Sequence, residues 1–314
     1  MGDTTGAMHV TVLGAGTMGV GIANVCAAAG HHVTVRDIDA NLVMDGIDTI
    51  ETQFAGAVDR DLMSEEEKAD AIDRIDGTTD LPSAVSGADM VIEAVPEEMD
   101  IKHDVFTDVE ASADEDAIIA TNTSSLSVTD IASVLDHPDR AIGLHFFNPA
   151  HVMEPVEIIL GDETADQVRA ETIAFVEDIG KTPIVVRDSP GFASSRLGLA
   201  LGAEAIRMVE QGVAGVEDID RAMELGYNHP MGPLELTDLV GLDVRLDILE
   251  YLHEELGDRF EPPQLLRELV EAGDLGKKSG QGFYEWEHGE VVGVAIDNPD
   301  APSRSTAAAD PADE

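Results

Sequence analysis

Three glycines constrain this chain most. Gly14, Gly16 and Gly19 stand between a short apolar run, Val10 to Leu13, and an apolar stretch from Thr17 to Ala29. The run suits a buried parallel strand. The stretch reads as a helix ended by Gly30. Strand, glycine turn and helix open a βαβ unit. The alternation then continues. His32-Val33-Thr34-Val35-Arg36 reads as a second strand, and the runs at 89–95, 117–121 and 141–147 as further ones. Residues 40–76 are polar with a helical pattern, and Ser64-Glu65-Glu66-Glu67 predicts a capping box. This pattern predicts an α/β protein with a Rossmann-like, doubly wound parallel sheet.

Two more strand-like runs, Val156 to Leu160 and Pro183 to Val186, flank a helix near Ala165 to Ile179. At Asp188-Ser189-Pro190-Gly191 the character changes to a turn cluster that marks a domain boundary. From Ser195 to about Ala272 the pattern is helical, and Leu197, Leu201, Ala205 and Met208 are expected on one face. The predicted organisation is a nucleotide-binding domain over 1–187, an all-α substrate and dimerisation domain over 188–290, and an acidic disordered tail over 291–314.

Charge is the unusual part of the composition. The chain has 64 acidic residues against 18 basic ones, a formal charge of -46, and lysine only at positions 68, 102, 181, 277 and 278. Such a surface repels itself at low salt, whereas at ~1 M salt the Debye length falls to about 3 Å. The expectation is a protein of a salt-rich cytoplasm, as in halophilic archaea. No basic stripe is present to meet phosphates, so nucleic-acid binding is disfavoured. No apolar run is long enough for a membrane span, and Met1 to His9 carries no signal-peptide pattern, so a cytoplasmic location is expected. The single cysteine, Cys26, sits in an apolar run and reads as a core residue. No metal site is expected.

The glycine turn carries the first chemical inference. Gly14 permits a tight turn, Gly16 lets backbone approach a pyrophosphate, and Gly19 lets the helix pack on the sheet. The amides at Thr17 and Met18 open the helix, whose N-terminus attracts phosphate. Asp37 stands 18 residues past Gly19, at the end of the second strand, where an acid can bond ribose hydroxyls. Its charge would oppose a 2′-phosphate, so NAD is favoured over NADP. Arg36 is the counterargument, since an arginine there can accept that phosphate.

His145 carries the second. It falls near the end of a predicted strand, on the edge where open α/β sheets bind ligands. An imidazole suits proton transfer near neutral pH. Glu157 follows on the next strand-like run, flanked by apolar residues, and an isolated buried carboxylate is costly. A His–Glu pair would fix the imidazole tautomer and stabilise the imidazolium. The bland alternative is an edge-strand carboxylate in water.

Eight blocks then stand in one family's order. They are Gly14 to Gly19, Glu93 to Glu97, Asn122-Thr123-Ser124-Ser125-Leu126, and His145 to Pro149 with Glu157. Next come Asp188 to Phe192, Pro230 to Leu236 with Asp238, Gly241-Leu242-Asp243, and Lys277 to Tyr284. Over residues 8–286 the chain resembles the 3-hydroxyacyl-CoA dehydrogenases, especially the short single-function 3-hydroxybutyryl-CoA type. The resemblance implies NAD-dependent interconversion of (S)-3-hydroxyacyl-CoA and 3-oxoacyl-CoA, with His145 as acid/base and Glu157 as its orienting partner. It implies that Ser124 bonds the substrate oxygen; by itself Ser124 could equally be a helix N-cap. Asn148 matches the polar residue after the histidine, and Glu97 and Lys102 match positions near the nicotinamide half of the cofactor. It also implies a homodimer, for which Leu234, Leu236, Leu239 and Leu242 are candidates, the alternative for them being the core of their own domain, and an acyl pocket. Two departures stand out. Ser195 replaces a substrate-binding Asn, and Val58-Asp59-Arg60-Asp61-Leu62 is acidic where relatives carry lysines. The second departure would also suit a dehydrogenase of a free sugar acid such as L-gulonate. A non-catalytic NAD-binding structural protein is the remaining alternative.

Overall fold

The computed structural model describes residues 6–296. The chain forms two compact units that divide between Phe192 and Ala193. The first unit runs β1 (His9–Leu13), α1 (Thr17–Ala28), β2 (His32–Arg36), α2 (Ala40–Asp59), α3 (Glu65–Ile72), β3 (Ile75–Thr78), α4 (Leu81–Val85), β4 (Met90–Glu93), α5 (Met99–Glu110), β5 (Ile118–Thr121), α6 (Val128–Ala132), β6 (Ala141–Phe146), β7 (Pro155–Leu160), α7 (Asp166–Asp178) and β8 (Thr182–Arg187). These strands make an 8-stranded sheet in the order β3-β2-β1-β4-β5-β6-β7-β8. β1 to β6 run parallel, β7 turns back antiparallel to β6, and β8 is parallel to β7.

Both faces are covered over the centre of the sheet, which explains why β4, β5 and β6 are mostly apolar and buried along their whole length. Val10, Val12, Met90, Ile92, Ile118 and Ala120 face a core shared with α1 and α7. Their neighbours Leu13, Val91 and Ile119 face a second core with α4, α5 and α6. Successive side chains point to opposite faces, so one run feeds two cores. The strand order reverses between β1 and β4, where ligands of such sheets bind.

Residues 40–76 are helical with the expected capping box, but only as far as Ile72. α2 stops at Asp59, the capping box at Ser64 starts α3, and Ile75–Thr78 forms the edge strand β3. Only Ile75 is apolar in that strand, so alternation could not announce it; pairing with β2 holds it in place. Cys26 is buried as expected, and burial pushes its thiol up to about 12.

The second unit comprises α8 (Ser194–Glu210), α9 (Val216–Tyr227), α10 (Pro233–Val240), α11 (Leu242–Leu256), α12 (Gln264–Ala272) and a hairpin of β9 (Tyr284–Glu287) and β10 (Glu290–Val294). The hairpin overlaps the start of the expected tail; the rest of that segment, from 297 onward, lies outside the described residues. The buried face of α8 also differs from the expected one. It is Leu199, Gly202, Ala203, Ala205, Ile206 and Val209, whereas Leu197 is 72% exposed. A continuous apolar stretch allowed two helical phases, and the packing of α9 to α12 selected one. Leu234 and Leu242 are core residues of this unit, while Leu236 and Leu239 are exposed.

Two buried carboxylates lock the second unit. Asp238 Oδ1 accepts from Phe283 N, and Oδ2 accepts from Tyr284 N and Trp286 Nε1, each at 2.9 Å. Asp220 accepts from the first amides of α10, Leu234 N and Glu235 N, and from the Tyr284 hydroxyl. Burial raises the pKa of both acids against the pull of these bonds.

Candidate active site

The carboxyl ends of β1, β4, β5 and β6 lie side by side in the sheet and collect the predicted residues. The glycine turn follows β1. Gly14 has φ +106, and a Cβ there would stand 2.5 Å from the Ala94 carbonyl. A Cβ on Gly19 would overlap the Gly14 carbonyl, so the turn and the first coil of α1 close on each other. Gly16 is the opposite case: no atom lies within 4 Å of its Cβ position. Gly16 and Thr17 are exposed, Met18 is half-buried, and no side chain caps the first amides of α1. Asp37 Oδ2 accepts from Ala15 N at 2.8 Å, which fixes the carboxylate beside the turn. Arg36 bonds the Thr79 carbonyl through Nε at 3.4 Å, so part of its fork is turned toward protein. Open backbone over Gly16, free helix amides and an anchored acid suit the pyrophosphate and ribose of a dinucleotide.

The strand after β1 in the sheet ends in Glu93, which is 1% exposed. Its Oε1 accepts from Lys102 Nζ at 2.7 Å and Val95 N at 2.8 Å, and its Oε2 from the Thr121 hydroxyl at 2.6 Å. Lys102 Nζ also lies 3.2 Å from Glu97 Oε2. The other oxygen of Glu97 gathers the turn after β5: Thr123 Oγ1 at 2.6 Å, Ser124 N at 2.8 Å, Ser125 N at 3.2 Å, and both serine hydroxyls at 3.3 Å. Partial burial raises the Glu97 pKa, but the Lys102 charge and these donors outweigh it and hold the acid below the usual carboxylate range. Lys102 is 1% exposed and faces two carboxylates, so it braces Glu97 from within.

Ser124 is not the helix cap that the bland reading allowed. Ser127 caps α6, and Thr123 Oγ1 accepts from Leu126 N. The Ser124 hydroxyl is directed at Glu97 Oε1, at 3.3 Å, and not at a helix start. The same turn reaches β6 through Asn122 Oδ1, which accepts from Phe146 N at 2.9 Å, one residue past His145.

His145 and Glu157 are register partners across the antiparallel pair β6 and β7. The reversal of β7 brings the start of that strand against the end of β6. Nδ1 of His145 lies 2.9 Å from Glu157 Oε2. Glu157 is 0% exposed in an interior strand, so the edge-strand alternative is excluded. The imidazole is 8% exposed and rests on Phe147, with ring centroids 4.7 Å apart, and on Phe192 at 6.0 Å. With Nδ1 committed, Nε2 is the nitrogen left to exchange a proton. Asn148 is exposed in the loop after β6, followed by a cis peptide to Pro149. Ser195 lies in the first turn of α8, in the second unit.

Sequence reasoning missed Glu93, Asn122, Thr121 and Thr123 as organising residues. The signal for Glu93 was present: an acid inside Met90-Val91-Ile92-Glu93-Ala94-Val95 needs a partner for the same reason as Glu157. Among the described residues no group of His, Cys, Asp and Glu could hold a metal ion. No helix among them is long and apolar enough to cross a membrane.

Comparison with known proteins places this geometry. Residues 9–189 match the profile of the 3-hydroxyacyl-CoA dehydrogenase NAD binding domain, and residues 191–286 match that of the 3-hydroxyacyl-CoA dehydrogenase C-terminal domain. A Bacillus subtilis protein named probable 3-hydroxybutyryl-CoA dehydrogenase is 44% identical over 89% of this chain and 97% of its own length. The 3-hydroxybutyryl-CoA dehydrogenase of Bradyrhizobium diazoefficiens is 42% identical over 90% and 97% of the two chains. The crystal structure of (S)-3-hydroxybutyryl-CoA dehydrogenase from Ralstonia eutropha has a TM-score of 0.86 and 41% identity, covering 90% of this chain and 99% of that one. With both halves matched in order and the catalytic-edge geometry in place, the chain belongs to the 3-hydroxyacyl-CoA dehydrogenase family.

Proposed function

We propose that this chain is an NAD-dependent dehydrogenase of short-chain (S)-3-hydroxyacyl-CoA, 3-hydroxybutyryl-CoA above all, and that His145 is its acid/base. The observation that carries the reading is the His145–Glu157 pair at the carboxyl edge of the sheet, with Nε2 left for the substrate. In oxidation the C3 hydroxyl gives its proton to His145 Nε2. The C3–H bond breaks with its electron pair, and C3 becomes a carbonyl. Bound NAD supplies the acceptor for that hydride. Glu157 keeps the proton on Nδ1 and stabilises the imidazolium that forms. In reduction His145 returns the proton to the ketone oxygen.

The other residues hold and orient. Ser124 donates its hydroxyl to the reacting oxygen, and Glu97, braced by Lys102, fixes the turn that carries it. Gly14, Gly16, Thr17, Met18, Gly19 and Asp37 hold the dinucleotide. Asn148 and Ser195 meet the acyl substrate, Ser195 with a shorter reach than the Asn of its relatives. The first unit serves as the nucleotide domain, and the second supplies substrate contacts and a homodimer face. The acid surplus is a surface adapted to a salt-rich cytoplasm, where screening removes its self-repulsion.

Incubation with acetoacetyl-CoA and NADH in concentrated KCl tests the reading. NADH consumption is the expected result. No turnover, together with oxidation of a free sugar acid such as L-gulonate, would overturn the CoA-ester assignment. His145→Ala should retain NADH binding and lose turnover.

A further inference from the structure

Three charges meet at the carboxyl ends of β4 and β5. Glu93, the last residue of β4, is 1% exposed, and so is Lys102, whose ammonium stands 2.7 Å from Glu93 Oε1 and 3.2 Å from Glu97 Oε2. Glu93 accepts from Lys102 Nζ, Val95 N and the Thr121 hydroxyl; Glu97 accepts from the Thr123 hydroxyl, Ser124 N and Ser125 N. Every one of these bonds is an accepting one, which is the pattern of two carboxylates rather than of a shared proton. No other basic side chain among the described residues pairs with either acid. Two carboxylates against one ammonium leave one negative charge uncompensated.

The strand order brings a dinucleotide past this charge. The glycine turn after β1 and the first amides of α1 suit the pyrophosphate, and Asp37, after β2, suits a ribose on one side of it. Hydride transfer needs the nicotinamide at the carbon whose oxygen faces His145, and His145 lies on β6, on the other side. Adjacent strands stand about 4.8 Å apart, so β6 is about 14 Å from β1, and only β4 and β5 lie between. The nicotinamide half therefore crosses the strand ends that carry Glu93, Thr121 and the turn held by Glu97. The two forms of the cofactor differ there by one charge: the oxidised ring is a cation and the reduced ring is neutral. Contacts to the pyrophosphate and the riboses are common to both forms and cancel in the ratio of their affinities.

We infer that Glu93, enclosed and out of contact with the cofactor, sets the preference between its two redox forms: the uncompensated charge of the Glu93–Lys102–Glu97 cluster holds NAD+ more tightly relative to NADH and lowers the midpoint potential of the bound couple. Salt screens enclosed charges weakly, so the preference persists in a concentrated electrolyte. The inference rests on the reading of His145 as the acid/base, which fixes the side to which the nicotinamide runs.

Equilibrium binding to the full chain in concentrated KCl, at one pH, tests it, with NADH followed by its fluorescence and NAD+ by competition. Glu93→Gln keeps the size of the side chain and removes its charge. Glu97→Gln removes the same charge from the other end of the cluster. Glu93→Asp keeps the charge and disturbs the contacts. Both glutamine variants are expected to raise the ratio of the NAD+ to the NADH dissociation constant at least about fivefold, through weaker NAD+ binding. For a two-electron couple that is a rise of about 20 mV in the bound midpoint potential. Glu93→Asp should keep the wild-type ratio even where both constants rise. A ratio within about twofold of wild type in either glutamine variant that folds would overturn the inference. So would equal weakening of both forms, the mark of a merely structural role, or a ratio in Glu93→Asp that moves as far as in Glu93→Gln. Failure of the acid/base reading shows separately, as normal turnover by His145→Ala, and leaves these binding ratios where they are.

Discussion

Replacing Glu157 by Gln isolates what the carboxylate contributes to His145. The side chain keeps its size and an oxygen that can accept from Nδ1, so the fold around a 0% exposed position is preserved. The charge is lost. With Nδ1 and Oε2 2.9 Å apart, the charge centres lie about 4 Å apart, worth about 4 kcal/mol at an effective dielectric of about 20. That attraction exists only when the imidazole is protonated, so it stabilises the transition state and not the resting enzyme. The glutamine dipole restores part of it, which leaves a loss of about 2–3 kcal/mol, or roughly 30–150-fold in kcat. Oxidation starts from the neutral imidazole and should show this loss in full, whereas reduction starts from the imidazolium that the carboxylate also stabilises, so its kcat should fall less. The assay is initial rates with 3-hydroxybutyryl-CoA and NAD, and with acetoacetyl-CoA and NADH, in concentrated KCl. The KM for NAD should not move, because Asp37 and the glycine turn are untouched. A kcat within threefold of wild type in both directions would refute the reasoning.

Further expectations concern the supports of the site and the fold. Glu97→Ala removes the acceptor for Thr123, Ser124 and Ser125 and orphans one face of Lys102; kcat/KM should fall about 10- to 100-fold, measured by initial rates, with NADH affinity by fluorescence titration changing less. Asp238→Asn presents an amide to donors at Phe283, Tyr284 and Trp286, leaving at least one buried donor unmet; chemical denaturation should show about 2–4 kcal/mol less stability. For Asp220 and Asp238 the folded-state pKa is raised above the unfolded value, so the stability they contribute is full below the unfolded pKa and declines as pH rises through the folded one. Asp238→Leu should therefore lose less stability than wild type as pH rises from the ordinary carboxylate range upward, read from melting temperatures. Cys26, pushed up to about 12 and fully enclosed, should resist iodoacetamide in native protein at pH 8 and react at once after unfolding, as mass spectrometry would record.

The central strands were readable because they are buried on both faces, so apolar runs such as Met90 to Val95 stand out without alternation. The glycine turn was readable because each glycine answers a steric demand that no other residue meets. β3 was invisible since only pairing with β2, not composition, holds Ile75–Thr78 extended. The hairpin of β9 and β10 hid behind an acidic sequence that resembled the tail; its His288-Gly289 turn, with both residues at positive φ, was the available signal. The buried face of α8 was misassigned because Leu197 and Leu199 are chemically equal, and only the neighbouring helices distinguish them. For the site, His145 and Glu157 were legible as a pair, but the antiparallel turn of β7 that places them in register is a tertiary fact. The Glu93–Lys102–Glu97 chain was partly visible: Glu93 shows as an acid inside an apolar run, whereas the role of Lys102 depends on a fold that points its ammonium inward.

The few cations of this chain make a final argument about where charge is tolerated. Salt screens a surface carboxylate, so an acidic exterior carries little penalty in a concentrated electrolyte. Screening does not reach an enclosed site, and there a cation still requires an anion. Lys102 braces two glutamates behind the Ser124 turn, and Arg140 pairs with Glu110. Neither could be exchanged for an acid without leaving buried like charges together, at a cost that salt cannot remove. The interior cations are therefore a record of geometric need.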